Sequence, residues 1–563
     1  MSGPTNYTIS CFPPRAPPTF GRHRGLNSLG ARMKIVIADN LPESAIAPLR
    51  ETGWIVDAKA GRAAAALSLD LVDADALIVR SATRVDKALI DAAPRLRVIA
   101  RAGTGVDNVD VDAASARGIV VMNAPGANSV SVAEHTVALM LAIARGLPAA
   151  DASMKRGQWE KSRFTGSELR GKTLGIAGLG RVGQEVATRA HAFSMDVIAH
   201  DPFIAAQTAA DLGVELVSLD ELFRRSDYLS LHLPSVPATH RIVNAAQLAQ
   251  CKPGMRLINT ARGDLIDEAA LVAALESGQI AAAALDVFDT EPPEASKLVS
   301  MPQVIATPHI AASTREAQEL VGTETAAAVR DFLREGIIRN AVNFPSLSLE
   351  EYKRLRPFLT LAERLGSLVG QMGEARTLAI GVRYYGELAT GTNEILGSAV
   401  LVGFFRAMLS TAITPVNART VAIERGVELI ESRSTRPRRF TNLISVKLHT
   451  SGGERWVEGA AFEDGSLRLV LVNGVPVEAP LEGTLLIISN NDQPGVIGEV
   501  GSILGRRGVN IANFALGRGP DGAVGVVNID EDSAGSLKGS MTEQALKEIR
   551  AVPAVRSAYC ARV

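Results

Sequence analysis

The spacing of hydrophobic positions changes along the chain, and these changes predict its elements. From Met33 to about Asn343, short apolar runs alternate with longer segments of helical spacing, such as Ser44–Thr52, Glu134–Arg145 and Thr314–Leu333. Apolar runs of this kind are typical of parallel strands that are buried on both faces. The predicted strands are Lys34–Ala38, Trp54–Asp57, Ala76–Arg80, Arg97–Ala100, Thr173–Ala177, Asp196–Ala199, Asp227–Leu233, Arg256–Asn259, Ala281–Val287 and Gln303–Thr307. The alternation predicts an α/β architecture with parallel sheets.

The pattern changes after Asn343-Phe344-Pro345, which marks a domain boundary. Two helical stretches, Leu349–Glu374 and Asn393–Ser410, flank the strand-like stretch Arg376–Tyr385, and alternating residues punctuated by glycines follow up to Leu481. No motif that carries chemistry occurs in this part. A basic group here is most simply a solvated loop, with an anion site as the alternative; its members are Arg433, Arg436, Arg438 and Arg439.

The last part of the chain, residues 483–563, has the order β-α-β-β-α-β. The predicted strands are Leu485–Ser489, Asn510–Leu516, Val524–Asp530 and Val555–Val563, and the predicted helices are Pro494–Arg507 and Met541–Ala551. This order is that of a ferredoxin-like domain.

Composition narrows the class of protein. A chain of 563 residues suggests about three or four domains of ~150 residues each. The net charge of −1 provides no overall basic field that would attract nucleic acid or an anionic membrane. Cys11, Cys251 and Cys560 lack the spacing of a metal or redox motif, which fits a reducing compartment. No apolar run reaches the ~20 residues that span a bilayer.

Residues 1–32 differ from the rest of the chain. They contain four arginines, several prolines and no acidic residue, so we expect a disordered extension. We expect an upstream extension before a start at Met33, and an organelle transit peptide is the alternative. The expected location is therefore the cytoplasm, unless this segment directs the chain to an organelle.

A glycine-rich turn follows the strand Thr173–Ala177. The motif Gly178-Leu-Gly180-Arg181-Val182-Gly183 leads into a helical pattern, and the next strand is followed by Asp201. The three glycines permit a tight turn, the approach of a pyrophosphate to the backbone, and close packing of helix on strand, while the helix N-terminus attracts the phosphates. Asp201 would bind both ribose hydroxyls and repel a 2′-phosphate. The motif therefore indicates NAD rather than NADP, with a structural glycine turn as the alternative.

Two arginines lie where predicted strands of the first part end. Arg80 follows one apolar run, and Arg101 follows another. Ligands bind at the carboxyl ends of the strands in open α/β sheets. Two cations at such an edge predict an anionic substrate, with a solvated loop arginine as the alternative for each.

Three further residues at strand ends or in the loops after them are suited to oxidise a hydroxy acid. His309 could take the hydroxyl proton, because the pKa of histidine lies near neutrality. Glu291 could orient the imidazole through its other nitrogen and stabilise the imidazolium. Arg262 could hold a substrate carboxylate and polarise the forming carbonyl.

Longer motifs surround these residues. The chain from Lys34 to about Asn343 resembles the D-isomer-specific 2-hydroxyacid dehydrogenases, and among them most closely the members that oxidise phosphoglycerate. The tail resembles an ACT domain, and the middle resembles the intervening domain of the long members of this family. The segments that carry the resemblance are GLGRVG at Gly178–Gly183, NTARGDLIDE at Asn259–Glu268, DVFDTEPP at Asp286–Pro293, TPHIAAST at Thr307–Thr314, IVRSATRV at Ile78–Val85, RAGTGVDNVD at Arg101–Asp110, WEKSRFTGSELRGKTLGIAGLG at Trp159–Gly180, VNARTVAIERGVELIE at Val416–Glu431, DQPG at Asp492–Gly495 and GVNIA at Gly508–Ala512.

The resemblance implies a domain organisation. Two doubly wound, Rossmann-like lobes with parallel sheets would enclose a cleft, with a substrate-binding lobe at residues 33–125 plus 312–343 and an NAD-binding lobe at residues 126–311. An α+β intervening domain at residues 344–481 and a ferredoxin-like ACT regulatory domain at residues 482–563 would follow.

The resemblance also implies roles for individual residues. Arg262, Glu291 and His309 match the catalytic residues of the family. Arg80, Arg101 and Asn128 match positions near the substrate. The positions that match NAD contacts are Thr104, Gly178, Gly180, Arg181, Val182, Gly183, Asp201, Thr260, Ala261, Arg262, Asp286, His309, Ala311 and Ala312. The chain departs from the family at Leu233, Asp264 and Ala311, where relatives often have threonine, glycine and glycine; Leu233 would remove one hydroxyl contact to the cofactor.

The activity implied by the resemblance is the NAD-dependent oxidation of 3-phospho-D-glycerate to 3-phosphooxypyruvate, which begins L-serine biosynthesis, in a homodimer or homotetramer. One alternative is a dehydrogenase of another D-2-hydroxy acid, and a second is an NAD-sensing binding protein on the same fold. For the tail, the resemblance implies an L-serine effector bound near Asp492 and Asn510. Because Asn490 and Asp492 replace a histidine and an asparagine of serine-binding relatives, a pairing module that binds nothing is the alternative.

Overall fold

The computed structural model of the chain describes residues 33–294, 296–373, 375–390, 394–409, 412–436, 438–529 and 540–563. The expectations for residues 1–32, and for the end of the strand predicted to reach Asp530, lie outside the described residues. Four sheets organise the described residues. They confirm the predicted fold class, with two parallel-sheet lobes followed by an α+β domain and a ferredoxin-like domain.

The first sheet has five parallel strands in the order β2-β1-β3-β4-β5. Its central strand β3 is fully buried from Ala76 to Val79, as expected for an apolar run covered on both faces. The elements of this lobe are β1 (Lys34–Ile37), α1 (Glu43–Arg50), β2 (Ile55–Ala58), α2 (Ala64–Asp70), β3 (Ala76–Val79), α3 (Lys87–Asp91), β4 (Val98–Arg101), α4 (Val111–Ala116) and β5 (Val120–Met122).

The second sheet has seven parallel strands in the order β12-β11-β10-β9-β6-β7-β8. Its elements are α5 (Ser129–Arg145), α6 (Leu147–Lys155), β6 (Thr173–Ala177), α7 (Arg181–Ala192), β7 (Asp196–His200), α8 (Ala206–Asp211), β8 (Glu215–Leu216), α9 (Leu219–Arg225), β9 (Tyr228–Leu231), α10 (Ala245–Gln250), β10 (Met255–Asn259), α11 (Glu268–Glu276), β11 (Ile280–Leu285), α12 (Lys297–Ser300), β12 (Val304–Ala306) and α13 (Arg315–Glu335). Helix α13 packs Val329 and Phe332 into the core of the first sheet beside Ile35 and Ile78. The chain therefore returns to the first lobe after it completes the second.

The third sheet has six strands in the order β14-β13-β15-β16-β17-β18. Strands β13 and β14 run parallel, and the other neighbouring strands run antiparallel. The elements are α14 (Leu349–Met372), β13 (Thr377–Tyr385), α15 (Glu394–Arg406), α16 (Ala418–Glu424), β14 (Glu428–Ser434), β15 (Leu443–Thr450), β16 (Gly453–Ala461), β17 (Leu467–Val472) and β18 (Val475–Pro480). Helices α14 and α15 pack so closely that a Cβ at Gly403 would lie 1.8 Å from the carbonyl oxygen of Glu363.

The fourth sheet is antiparallel, with the order β20-β21-β19-β22. Its elements are β19 (Thr484–Asn490), α17 (Val496–Arg506), β20 (Ile511–Gly519), β21 (Gly522–Ile529), α18 (Ser540–Arg550) and β22 (Val555–Arg562). Helices α17 and α18 cover one face. The other face, including Ile487 and Val526, joins the core of the third domain with Leu365 and Leu368 of α14. The last two domains therefore share one apolar core.

Some predicted element ends were wrong. Helix α5 begins at Ser129 rather than Glu134, so His135 lies in its second turn and not in its first. The serines and valines of this first turn are weak helix formers, but burial of Val132 and Ala133 stabilises it. Helix α15 ends at Arg406 rather than Ser410. Among the described residues, no single helix has the length and apolar character to cross a membrane, and α5 and α6 pass that test only as a pair bent by 64°.

Candidate active site

Three adjacent strands of the second sheet bring the predicted catalytic residues together. Arg262 follows β10, Glu291 lies in the loop after β11, and His309 follows β12. Because β10, β11 and β12 are neighbours and run parallel, the loops after them meet at one edge of the sheet.

His309 and Glu291 form a hydrogen-bonded pair at this edge. The Nδ1 of His309 lies 2.8 Å from Oε2 of Glu291, and Oε1 of Glu291 accepts a hydrogen bond from the backbone N–H of Phe288. The hydrogen bond to Glu291 raises the pKa of His309, although partial burial opposes the increase. Partial burial favours a higher pKa for Glu291, but the hydrogen bond and the charge of His309 outweigh it and lower that pKa. The imidazole is half exposed, and its other nitrogen, Nε2, makes no hydrogen bond to a described residue.

The buried carboxylate of Asp286 holds the His309 loop in place. It accepts hydrogen bonds from the backbone N–H groups of Ile310 and Ala311 and from the hydroxyl of Thr307, at 2.9, 2.8 and 2.5 Å. His309 itself has φ 52, a strained conformation for a residue other than glycine. Asp286 is fully buried, so in this structure it contacts the loop rather than an open surface, although the resemblance matches it to an NAD contact.

His135, in the second turn of α5, completes this arrangement. Its Nε2 lies 3.2 Å from the hydroxyl oxygen of Thr307 and 3.4 Å from Oδ1 of Asp286. Despite the cost of burial, hydrogen bonds from His135, Thr307 and the loop backbone lower the pKa of Asp286. Because the contact joins residues that are far apart in the sequence, no local sequence pattern predicts it.

Arg262 connects this edge to the first lobe. Its Nη2 lies 3.1 Å from Oδ2 of Asp107, and its Nη1 donates a hydrogen bond to the carbonyl oxygen of Ala261 at 2.7 Å. The side chain of Asn259 braces the turn before it, accepting from the N–H of Ala261 and donating to the carbonyl of Arg262. The guanidinium is therefore fixed between the two lobes.

Arg80 and Arg101 lie at the ends of the neighbouring strands β3 and β4. Burial lowers the pKa of Arg101; the negative charge of Asp107 opposes this, and the positive charges of Arg262 and Arg80 add to it. The Nε of Arg101 is buried without a hydrogen-bond partner among the described residues. The three guanidinium groups are therefore close enough to repel one another, and a ligand with several negative charges would relieve that repulsion.

Two other predicted positions link the loops of the first lobe to α5. The hydroxyl of Thr104 donates a hydrogen bond to Oδ1 of Asn128 at 2.7 Å, and Asn128 immediately precedes α5. The amide of Asn123 donates to the carbonyl of Thr104 at 2.5 Å. Thr104 and Asn128 are thus held at the same edge as Arg101.

The glycine-rich turn fits a dinucleotide. Gly178 has φ 93, and a Cβ at Gly183 would lie 2.2 Å from the carbonyl oxygen of Gly178, so α7 can approach the strand only because Gly183 has no side chain. At Gly180 the space where a side chain would be is open to 4 Å. Asp201 lies against this turn, with Oδ2 accepting from the N–H of Leu179 at 2.9 Å. The open backbone before the N-terminus of α7 matches the cradle that a pyrophosphate requires.

The remaining positions matched to NAD surround this turn and the His309 loop. Arg181 donates a hydrogen bond to the carbonyl of Pro125, and Val182 follows it in the first turn of α7. Thr260 is buried, with its hydroxyl 2.9 Å from that of Thr136. Ala311 accepts a hydrogen bond from Ser131 at its carbonyl, and Ala312 accepts a long one from Gln318. Leu233 contacts the position where Gly178 would carry a Cβ.

The predicted effector residues of the tail lie on the loops of the fourth sheet. Asp492 has φ 51 and pairs with Arg518 at 3.1 Å, and its N–H donates to Oδ1 of the buried Asn490. Asn510 immediately precedes β20 and is also engaged in the fold. The carboxylate of Asp492 therefore already has a cationic partner within the chain.

Three family models match the chain. Residues 137–311 match the NAD-binding domain of the D-isomer-specific 2-hydroxyacid dehydrogenases, residues 354–473 the intervening domain of D-3-phosphoglycerate dehydrogenase, and residues 484–554 the ACT domain.

Curated proteins and solved structures give the same picture. The chain is 42% identical to the D-3-phosphoglycerate dehydrogenase of Archaeoglobus fulgidus over 88% of this chain and 94% of that protein. It is 40% identical to that of a Synechocystis species over 94% and 95% of the two chains. A glyoxylate reductase of Paecilomyes thermophila aligns with 55% of this chain and 98% of its own, at 31% identity and a TM-score of 0.52. The TT0316 protein of Thermus thermophilus aligns with 55% and 100%, at 38% identity and a TM-score of 0.51.

Proposed function

The chain belongs to the D-3-phosphoglycerate dehydrogenases, which are D-isomer-specific 2-hydroxyacid dehydrogenases, and we propose that the cleft between its two lobes oxidises 3-phospho-D-glycerate to 3-phosphooxypyruvate. The observation that carries this proposal is the His309–Glu291 pair beside Arg262, with Arg80 and Arg101 across the cleft. A proton acceptor and a cluster of cations are what a phosphorylated hydroxy acid requires.

The reaction removes a hydride from C2 of the substrate and a proton from its hydroxyl. NAD, when bound, accepts the hydride. The proton goes to the Nε2 of His309, since Nδ1 is committed to Glu291 and the carboxylate stabilises the imidazolium that forms. Arg262 polarises the oxygen that becomes the carbonyl. The products are the oxo acid, NADH and one proton, which His309 later releases to water.

The two ends of the substrate have different partners in this proposal. Arg262 is held beside the acceptor histidine, so it binds the carboxylate next to the reacting carbon. Arg80 and Arg101 lie at the strand ends of the first lobe, so they bind the phosphate at the other end. The positive charges of Arg262 and Arg80 act on the guanidinium of Arg101, and the negative charge of a phosphate would relieve this repulsion.

The two alternatives predict different kinetics. A dehydrogenase of another D-2-hydroxy acid would need no second cationic site and would turn over glycerate or lactate as well as phosphoglycerate. An NAD-sensing binding protein would bind NAD and turn over none of them. Steady-state rates with 3-phospho-D-glycerate, D-glycerate and D-lactate separate the three functions. Preference for an unphosphorylated acid, or no turnover of any, would refute the proposal.

We also propose that the ACT domain binds L-serine as an effector between two paired copies of the chain. The N–H groups at the start of α17 and the amide of Asn510 are suited to its carboxylate and polar groups. Because one face of this sheet belongs to the core of the intervening domain, the test uses the full chain. Calorimetry of serine binding to the wild type and to Asn510→Ala tests this proposal. If millimolar serine produces no heat with the wild type, the domain binds no serine and serves only to pair two copies of the chain.

A further inference from the structure

A second cleft, of about 380 Å³, lies in the intervening domain. Its walls come from the start of α14, the turn after β13, the first residue of α15, strand β14 and the segment before β15. None of its lining residues belongs to the candidate active site or to the predicted serine site. Its volume falls in the ~300–1,000 Å³ range of small-molecule sites.

Two arginines line this cleft without a hydrogen bond or an ion pair to a described residue. Arg354 lies on α14 and Arg433 on β14, and both line the cleft. Among the residues that the structure describes, neither guanidinium makes a hydrogen bond or an ion pair. Asn442 adds a donor, because its Oδ1 accepts from the N–H of Glu387 at 2.9 Å and its amide nitrogen has no described acceptor. Arg433 belongs to the basic group for which the sequence left an anion site open.

Two carboxylates face the same cleft and are also unpaired. The side chains of Glu387 and Glu394 make no ion pair with any described residue, and the hydrogen bonds of Glu394 to Arg419 and Ser398 use its backbone carbonyl. A third acid, Glu351, caps α14 by accepting from the N–H and hydroxyl of Ser348. Hydrogen bonds to the backbone and hydroxyl of Ser348 lower the pKa of Glu351, and the positive charge of Arg354 adds to this. Arg433, Glu387 and Glu394 have no ion-pair partner among the described residues.

We infer that this cleft binds a free α-amino acid in its zwitterionic form. Its carboxylate would bind Arg354 and Arg433, its ammonium would bind Glu387 and Glu394, and its side chain would lie on the buried Leu355 and Leu388, which line the same cleft. A purely anionic ligand such as a phosphorylated acid fits less well, because it would satisfy the arginines and leave the two carboxylates facing its negative charge.

Calorimetry of the full chain tests the inference with L-serine, L-leucine and 3-phosphoglycerate as probes. We expect at least one amino acid to bind, and Arg354→Gln and Glu394→Gln each to raise its Kd about tenfold or more, the loss expected for one charged hydrogen bond. Arg436→Gln is the matched control, because Arg436 belongs to the same basic group but does not line the cleft. Its Kd should match that of the wild type.

Asn510→Ala separates this cleft from the predicted serine site. Binding that survives Asn510→Ala and is lost in Arg354→Gln and Glu394→Gln supports the inference. Three results would overturn it: no heat with either amino acid, amino acid binding that the cleft variants leave unchanged, or binding in the cleft by 3-phosphoglycerate and not by an amino acid. Thermal unfolding of each variant checks its folding, and turnover of phosphoglycerate, measured separately, tests the proposed function independently of the cleft.

Discussion

Two regions of the molecule contain a histidine paired with a glutamate. In the nucleotide-binding lobe, Nδ1 of His309 lies 2.8 Å from Glu291, and in the intervening domain Nδ1 of His449 lies 3.1 Å from Glu454. Both histidines are partly exposed. Distance alone therefore does not distinguish a catalytic base from a surface pair.

The surroundings of the two pairs differ. Glu291 is held by a backbone N–H, and the loop of His309 is held by the buried Asp286. Glu454 instead lies on an exposed antiparallel hairpin and also pairs with Lys447. The two pairs therefore differ in position rather than in distance. The His309–Glu291 pair lies where parallel strands end side by side, next to Arg262 and the cleft, and these surroundings suit it to act as a base.

Replacement of His309 and of His449 by alanine should show the largest difference between the two pairs. We expect His309→Ala to lower kcat for phosphoglycerate oxidation by about 10²–10⁴-fold, the usual contribution of a general base, while NAD still binds. His449→Ala, the matched control, should have wild-type kcat. Steady-state kinetics and fluorescence titration of NADH measure both effects. Near-normal turnover in His309→Ala would remove this residue from the mechanism.

Arg80 and Arg101 should make the enzyme prefer a phosphorylated substrate over an unphosphorylated one. Arg101→Ala or Arg80→Ala should reduce kcat/KM for phosphoglycerate by about 10–150-fold, since a charged hydrogen bond contributes ~1.5–3 kcal/mol, and should affect D-glycerate much less. Arg436→Ala, in the basic group of the intervening domain, should change neither. An equal loss for both substrates would assign the arginines to the shared carboxylate or to the fold.

The carboxylate beside the glycine turn should set the choice of cofactor. We expect the wild type to prefer NAD over NADP, and Asp201→Ala to narrow that preference about tenfold, because a 2′-phosphate would no longer meet a negative charge. Asp196→Ala, at the other end of the same strand, is the control. Equal kcat/KM for the two cofactors in the wild type would contradict the role of Asp201.

The spacing of apolar and glycine residues predicted the features of the fold that depend on neighbouring residues in the sequence. Apolar runs predicted the strands, and the glycines of the turn at Gly178–Gly183 indicated the close packing of α7 on its sheet. Polar residues after neighbouring strands indicated which side chains would meet, as Arg262, Glu291 and His309 do. These features follow from periodicity and from the backbone freedom of glycine.

Contacts between distant segments could not be predicted in this way. The support of Asp286 by His135 depends on how α5 packs against the second sheet. The burial of one face of the fourth sheet depends on α14, whose sequence shows an apolar face but not its partner. Similarly, the cleft between Arg354 and Arg433 forms only when the start of α14 and strand β14 come together.

The pH dependence of kcat/KM tests the central claim most directly. The neutral form of His309 accepts the proton, so oxidation should weaken as the pH falls through its pKa, which the hydrogen bond to Glu291 raises. Glu291→Gln removes that stabilisation of the imidazolium, so we expect the acidic limb to move to lower pH, whereas Glu454→Gln should leave it in place. An acidic limb that is unchanged in Glu291→Gln, or that moves equally in both variants, would contradict the account.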